Sequence, residues 1–372
     1  MIYIYSFLFC IYFAILVNIR KDHKKVFKGK IEKIFIMLTF LPLFVLYAFR
    51  GEVGIDHQSY QEIFNVVQYS NLKELPKLSD KIEIETFFLF INYLGSKWGF
   101  GINFVYFICS ALTFLFIYKA ITYYDNERKY FIMSIIIFYS QMFFSGLDAV
   151  RQIVAIAIYF YSTKYISERK LYLFLIWLFI ASLFHSSVLL LLPTYFILRM
   201  RIKPILYIII SVAFLLLSKV FTPVILIESV SSIFPNWKYL SDIYNDVQYG
   251  ETIGSVYFIH LVTSSVFLIY QKKVGSNNKE IIPINMYVLY TMLYPLISPF
   301  LSTKRLLYYL FIGICLGIPF GIERLKDSKL AKYRLLISII YGLLFILLFL
   351  SSVKSGYSNP QWYHEPYKFM KQ

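Results

Sequence analysis

Charge is what this chain has least of. Lys, Arg, Asp and Glu make up 16% of its 372 residues; the 21 carboxylates are outnumbered by 37 basic groups, leaving a net charge of +16. A soluble domain is about one-quarter charged, so this poverty excludes an ordinary globular protein. Cysteine is scarce too. Cys10, Cys109 and Cys315 each sit inside an apolar run, which argues for small buried hydrophobes and against a disulfide framework or a metal site. No Walker loop, dinucleotide fingerprint or zinc-knuckle spacing occurs, and no cofactor is expected. The first apolar stretch, Ile2–Val17, has its basic cluster after it, the reverse of a cleavable leader, so it reads as a retained span with its N-terminus outside.

What is abundant is apolar surface. The chain is 59% hydrophobic and 20% aromatic, with a mean hydropathy of +0.63. This composition implies an all-α polytopic membrane protein, read as one domain over residues 1–372. Apolar runs predict spans at Ile2–Ile19, Ile34–Phe49, Ile102–Ile121, Tyr130–Phe144, Ile153–Tyr165, Ile205–Phe221, Ser255–Tyr270, Ile281–Phe300, Leu306–Phe320 and Leu335–Leu350. Glu85–Trp98 and Leu171–Leu198 fit no single upright span. With them the expectation is about 10–12 transmembrane helices.

Basic residues set the layout. Clusters at Arg20–Lys33, Arg128-Lys129, Arg169-Lys170, Arg199/Arg201/Lys203, Lys272-Lys273 and Arg324–Arg334 share the cytoplasmic side only if each irregular stretch crosses an even number of times. Both therefore read as re-entrant or paired half-helices, tolerated where broken backbone lines an enclosed cavity. Outer loops fall at about 50–84 and 222–254, with an outer C-terminal tail at about 352–372. Read by location, the net charge is a topology signal, and no nucleic-acid partner is expected.

That layout also puts Arg50, Arg151 and Arg305 on the outer face, each beside an apolar span. An arginine at a helix centre costs about 2.5–3.5 kcal/mol on insertion scales, so such residues tend to face a cavity or an anion. Three planar guanidinium groups fit the oxygens of a diphosphate. Around them lie other candidates. Arg50-Gly51-Glu52-Val53-Gly54-Ile55-Asp56 leads to Tyr60, which shares a helical face with Asp56 at a spacing of four. Asp148 and Arg151-Gln152 sit between two apolar runs without a proper loop, where a structural ion pair competes with a ligand role. His185-Ser186-Ser187 interrupts an apolar run, and His185 is a packing residue or a proton carrier. Ser302-Thr303-Lys304-Arg305, with Tyr308 and Tyr309, either grips a diphosphate or marks an interface.

The order Arg50, Gly54, Asp56, Tyr60, Phe64, then Glu85, Arg151-Gln152, Phe184-His185-Ser186 and Arg305 resembles the EpsG-like branch of the Wzy-type polysaccharide polymerases. The resemblance covers Phe49 to Tyr309, with His57 and Asp148 departing where an aromatic and an Asn are commoner. It implies an inverting membrane glycosyltransferase that joins undecaprenyl-diphosphate-linked repeat units on the outer face of a bacterial cell membrane. A chain-length regulator and a flippase of the same pathway are the implied partners. Arg50, Arg151 and Arg305 are then the diphosphate ligands. His185 is the proposed base, with Asp56 or Glu85 competing for that role. Tyr60, Gln152, Ser186, Tyr308 and Tyr309 contact the rest of the substrate. No required metal is expected, because the carboxylates form no tight Asp-x-Asp cluster. Two rivals remain: a flippase for the same lipid-linked glycan, and a transferase using a polyprenyl-monophosphate sugar.

Overall fold

The computed structural model describes residues 1–19, 28–218, 253–270, 278–298, 301–358 and 367–369. The architecture is all-α. Among the described residues no strand forms, and an isolated antiparallel bridge joins Arg50 to Phe369. In a bilayer no water takes up backbone N–H and C=O groups, so a spanning chain satisfies them within its own helices.

The chain divides into two compact units. The first comprises residues 1–165, 172–189 and 336–372. It contains α1 (Ile2–Ile19), α2 (Lys28–Ala48), α3 (His57–Gln68), α4 (Leu75–Ile82), α5 (Thr86–Lys97), α6 (Ile102–Tyr124), α7 (Phe131–Asp148) and most of α8 (Val150–Ser167) and α9 (Leu171–Ser182). Helix α1 packs on α2 and α7, and α2 packs on α6. Aromatic rings fill the seams: Phe7 meets Tyr139 at 5.1 Å between centroids, and Tyr47 meets Phe114 at 5.1 Å.

Direction follows from one ion pair and one cap. Arg128 Nε lies 3.4 Å from Glu32 Oε1, so the α6–α7 turn sits beside the first turns of α2. Asp125 closes that turn by accepting from the N–H groups of Lys129 and Tyr130 at 2.9 and 2.8 Å. The basic segments at 28–33 and 128–129 therefore share one end of the unit. Helices α2 and α7 both start there. A 21-residue helix rises about 30 Å, so Arg50 and Asp148 mark the far end.

At that far end the first expected outer loop folds as a small helical cap. Helix α3 buries Tyr60, Phe64 and Val67 on one face, and Val67 and Leu75 close over Leu89 of α5. The burial spacing of three and four residues is that of an amphipathic helix against a partner.

The second unit comprises residues 166–171 and 190–335. It holds α10 (Thr194–Ile197), α11 (Pro204–Leu217), α12 (Ser255–Ile269), α13 (Asn278–Ile297), α14 (Leu301–Phe311) and α15 (Ile314–Glu323). Helix α13 is its hub, packing on α11, α12, α14 and α15. The chain then enters α16 (Arg334–Ser358), whose body belongs to the first unit. The second expected outer loop, 222–254, lies outside the described residues apart from its last two positions.

By length and composition, five helices among the described residues can cross a membrane: Ile31–Ala48, Ile102–Tyr124, Phe131–Asp148, Lys279–Ile297 and Ala331–Ser355. Shorter apolar helices are Ile2–Asn18, Leu171–Ser182, Pro204–Leu217 and Val256–Ile269. The stretch expected as one span at Leu306–Phe320 is a pair bent by 46° between Phe311 and Ile314. Both segments pack closely on α13, and a Cβ on Gly313, at the break, would meet Met286 Cβ at 2.4 Å. A Cβ on Gly317 would meet the Pro283 carbonyl oxygen at 2.8 Å, so α15 can follow α13 only with glycine there. The irregular stretch Leu171–Leu198 is broken as expected. Helix α9 stops at Ser182, a 3-10 segment runs over Ser186–Leu191, and α10 adds a single turn.

Candidate active site

Three chain breaks at the far end of the first unit bring its ionisable groups together. Glu85 occupies the position just before α5, Arg151 is the second residue of α8, and His185 follows the end of α9. Helix α7 ends at Asp148 and α8 starts at Val150, with Ala149 N–H still bonded to Ser145 O at 3.0 Å. That one-residue break lets Arg151 project from a helix start instead of a helix centre.

The Glu85 carboxylate is the hub. Its Oε2 accepts from Arg151 Nη1 in a close ion pair. Its Oε1 accepts from the backbone N–H of Ser186 at 2.8 Å and faces His185 Nδ1 at 3.4 Å. Side-chain exposure is 19% for Arg151, 13% for Glu85 and 19% for His185, so the cluster is shielded yet reachable. Burial alone would raise the Glu85 carboxyl. The His185 hydrogen bond, the Arg151 charge, the His185 charge and the Ser186 N–H outweigh it and bring the pKa down to about 2. A carboxylate so stabilised is ionised at neutral pH and is a weak base. With Nδ1 donating to Glu85, the neutral imidazole presents its lone pair at Nε2.

Aromatic rings frame the cluster. The Arg151 guanidinium carbon lies 5.7 Å from the Phe88 ring centroid, and Tyr60 meets Phe88 at 6.0 Å. Phe184, directly before His185, packs edge-on against Phe87 at 5.3 Å. Tyr60 is thus a buried support behind Phe88, at 6% exposure. Gln152 is buried at the same helix start.

Arg50 is handled differently. It is 1% exposed, its Nη1 donates to the Leu147 carbonyl, and its guanidinium carbon sits 4.1 Å over the Tyr106 ring. Around it the backbone is tightly held. Gly54 adopts φ +96°, where a Cβ would meet Leu147 O at 2.6 Å, and Asp148 Oδ1 accepts from Ile55 N–H at 2.9 Å. Asp56, half-buried at the start of α3, accepts from Tyr60 N–H through its carbonyl at 3.1 Å. His57 Nδ1 lies 3.2 Å from Tyr106 Oη; burial first, then the Arg50 charge, holds its pKa below the ordinary histidine value. The C-terminal residues close this corner: Gly51 N–H donates to Lys368 O at 2.8 Å and Tyr367 Oη to Leu46 O at 2.8 Å.

Among the sequence candidates, then, Glu85, Arg151, His185 and Ser186 form one cluster, with Tyr60 and Gln152 packed at its edges. Arg50 and Asp56 bound the neighbouring Arg50–Asp56 turn. Arg305, Tyr308 and Tyr309 lie on α14 in the second unit, with Arg305 and Tyr308 half-buried and Tyr309 buried. Sequence reasoning missed Phe88 and Tyr106, the rings beneath the two arginines. For Phe88 a signal existed: it stands three residues after Glu85, one helical turn away. Tyr106 is far from Arg50 in sequence and carried none.

A model of the EpsG family matches residues 33–369, which spans the cap, both arginine corners, His185 and α14. The chain belongs to the EpsG family. No curated protein and no solved structure matches it. EpsG membership and the apolar helices make it a polysaccharide polymerase-type, multi-pass membrane protein.

Proposed function

We propose that this EpsG-family protein is a glycosyltransferase that joins undecaprenyl-diphosphate-linked oligosaccharide repeat units on the extracytoplasmic face of the bacterial cell membrane. The observation that carries this reading is the shared Glu85 carboxylate, which fixes a cation and a proton acceptor side by side in one shielded cluster. Transfer from a lipid diphosphate requires both. The acceptor hydroxyl attacks the anomeric carbon and its proton passes to His185 Nε2. The bond from that carbon to the phosphate oxygen breaks, and the diphosphate leaves with the electron pair. Arg151 meets the growing negative charge. Fixed cations of this kind are usually the largest catalytic term. A single displacement inverts the anomeric centre.

Glu85 orients His185 and holds Arg151, so in this scheme it is a positioning residue and His185 is the base. Arg151 is assigned to the lipid diphosphate, and Ser186 to a remaining substrate contact at this cluster. The outward orientation is supported by the first unit's basic end lying opposite the cluster. Arginines take the part a divalent ion plays elsewhere.

The test is reconstitution of the full chain in proteoliposomes with purified lipid-linked repeat units. The expected product is a ladder of longer glycans that persists in chelator and disappears in His185→Ala and Arg151→Ala. A ladder retained in both variants, or restored only by added magnesium, would overturn the scheme. In cells, Arg151→Ala is expected to leave single repeat units on the outer face. Units trapped inside would instead favour a flippase.

A further inference from the structure

The basic end of the first unit carries a cluster of lysines and aromatic rings that the proposed reaction does not use. It lies where α6, α8 and α9 come together. Tyr124 Oη and Thr163 Oγ1, 2.8 Å apart, tie the last turns of α6 and α8 beside the α6–α7 turn. Just inside that tie, Phe116, Tyr161 and Trp177 form an aromatic triangle. Its centroid separations are 5.5 Å for Phe116–Tyr161, 5.2 Å for Phe116–Trp177 and 5.1 Å for Tyr161–Trp177.

Two ammonium groups are held over this triangle. Lys164 Nζ lies 4.1 Å from the Tyr161 ring centroid and 4.5 Å from that of Tyr165. Lys119 Nζ lies 5.5 Å from the Phe116 centroid and 5.8 Å from that of Tyr161. The two cations thus share one ring although they come from different helices. Snorkelling would carry both toward water, which here means toward the basic end. Instead they lean over Phe116 and Tyr161, each one turn back along its own helix. Both lysines, Tyr161, Tyr165 and Trp177 are half-buried, so the cluster opens on the helix surface. Of the acids at this end, Glu168 pairs with Lys170 at 2.9 Å and Glu32 with Arg128 at 3.4 Å, while Asp125 accepts from backbone N–H groups. Two like charges fixed on one ring repel each other, and an anion between them turns that repulsion into attraction. An ammonium carries three donors, more than the Tyr161 hydroxyl takes from Lys164.

We propose that Lys119 and Lys164 bind the phosphate of an anionic phospholipid at the junction of α6, α8 and α9. Lysine acts on phosphate as a point charge, and two such charges facing one ring suit a single phosphodiester. The chemistry beside the cations favours a lipid over a free anion. Leu115 of α6 and Phe179 of α9 are 43% and 62% exposed and offer apolar surface to an acyl chain. Basic pockets between transmembrane helices are suited to such headgroups.

Trp177 reports on the site directly in a full-length protein whose other tryptophans, Trp98, Trp237 and Trp362, are changed to Phe. Its fluorescence is followed in neutral-detergent micelles as phosphatidylglycerol or phosphatidylcholine with brominated acyl chains is added. Phosphatidylglycerol is expected to quench at about one-tenth the mole fraction that phosphatidylcholine needs. Lys119→Gln combined with Lys164→Gln abolishes that preference at an unchanged unfolding midpoint. Lys332→Gln, the loss of an exposed charge in the second unit, keeps it. Equal quenching by the two lipids, or a preference that survives the loss of both lysines, overturns the site. Displacement of phosphatidylglycerol by an equal concentration of inorganic phosphate assigns a free anion and overturns the lipid.

Discussion

At the scale of single residues, Glu85 and His185 share one cluster while Asp56 lies on the neighbouring turn. Glu85, Asp56 and His185 all competed for the proton. The hydrogen bonds into Glu85 make it a poor base, since protonating it means giving up Arg151, Ser186 and His185 together. Two outcomes follow. His185→Ala lowers polymerisation about 100- to 10,000-fold, the range for a lost general base. Glu85→Gln lowers it less and also shifts the acidic limb of the pH–rate profile, because the His185 ring loses its anionic partner. An unchanged limb would show that Glu85 does not act through His185. Stability carries its own signature. The Glu85 pKa lies near 2 in the fold against an unfolded value of 4.5, so its contribution is complete above pH 4.5 and fades as pH falls toward 2. Thermal unfolding from pH 6 to pH 3 should therefore be steeper in the native chain than in Glu85→Gln.

Among elements, the helix starts and stops near the cluster matter more than the helices themselves. The residue patterns made most of these visible. The apolar runs place α1, α2, α6, α7, α11, α12 and α13, because burial in a bilayer demands long uninterrupted hydrophobic stretches. The interruptions at Glu85 and His185 stand out against that background. Invisible were features that depend on a distant partner: the bend between α14 and α15, packed against α13, and the C-terminal strap. Tyr367–Phe369 docks on the turn after α2 through the Gly51–Lys368 and Tyr367–Leu46 hydrogen bonds and a 2.8 Å Lys368–Glu52 pair. A Cβ on Gly51 would approach Phe369 O at 2.9 Å, so the close fit excludes any larger residue without a shift. Deleting residues 367–372 should expose the Arg50 corner and lower the unfolding midpoint. Gly51→Val should match that loss. In the truncated chain the same substitution should then have a much smaller effect, and additive losses would count against the strap.

For the whole molecule, charge placement is the argument that joins sequence to fold. Clusters separated by nearly a hundred residues converge in the first unit: 28–33 meets 128–129 through Glu32 and Arg128. That convergence puts two basic segments at one end of the unit, as the cytoplasmic rule requires. In the first unit the Glu85–Arg151–His185 cluster occupies the other end, past the full length of α2 and α7. A polymerase reading needs that end to face outward, where lipid-linked repeat units are assembled. Fusions of a reporter active only after export decide it. Activity is expected at Ser70 in the α3–α4 connection, with silence at Asn126 and at Ser328. Activity at Asn126 with silence at Ser70 would turn the cluster toward the cytoplasm and remove the reaction from the face on which its substrate is offered.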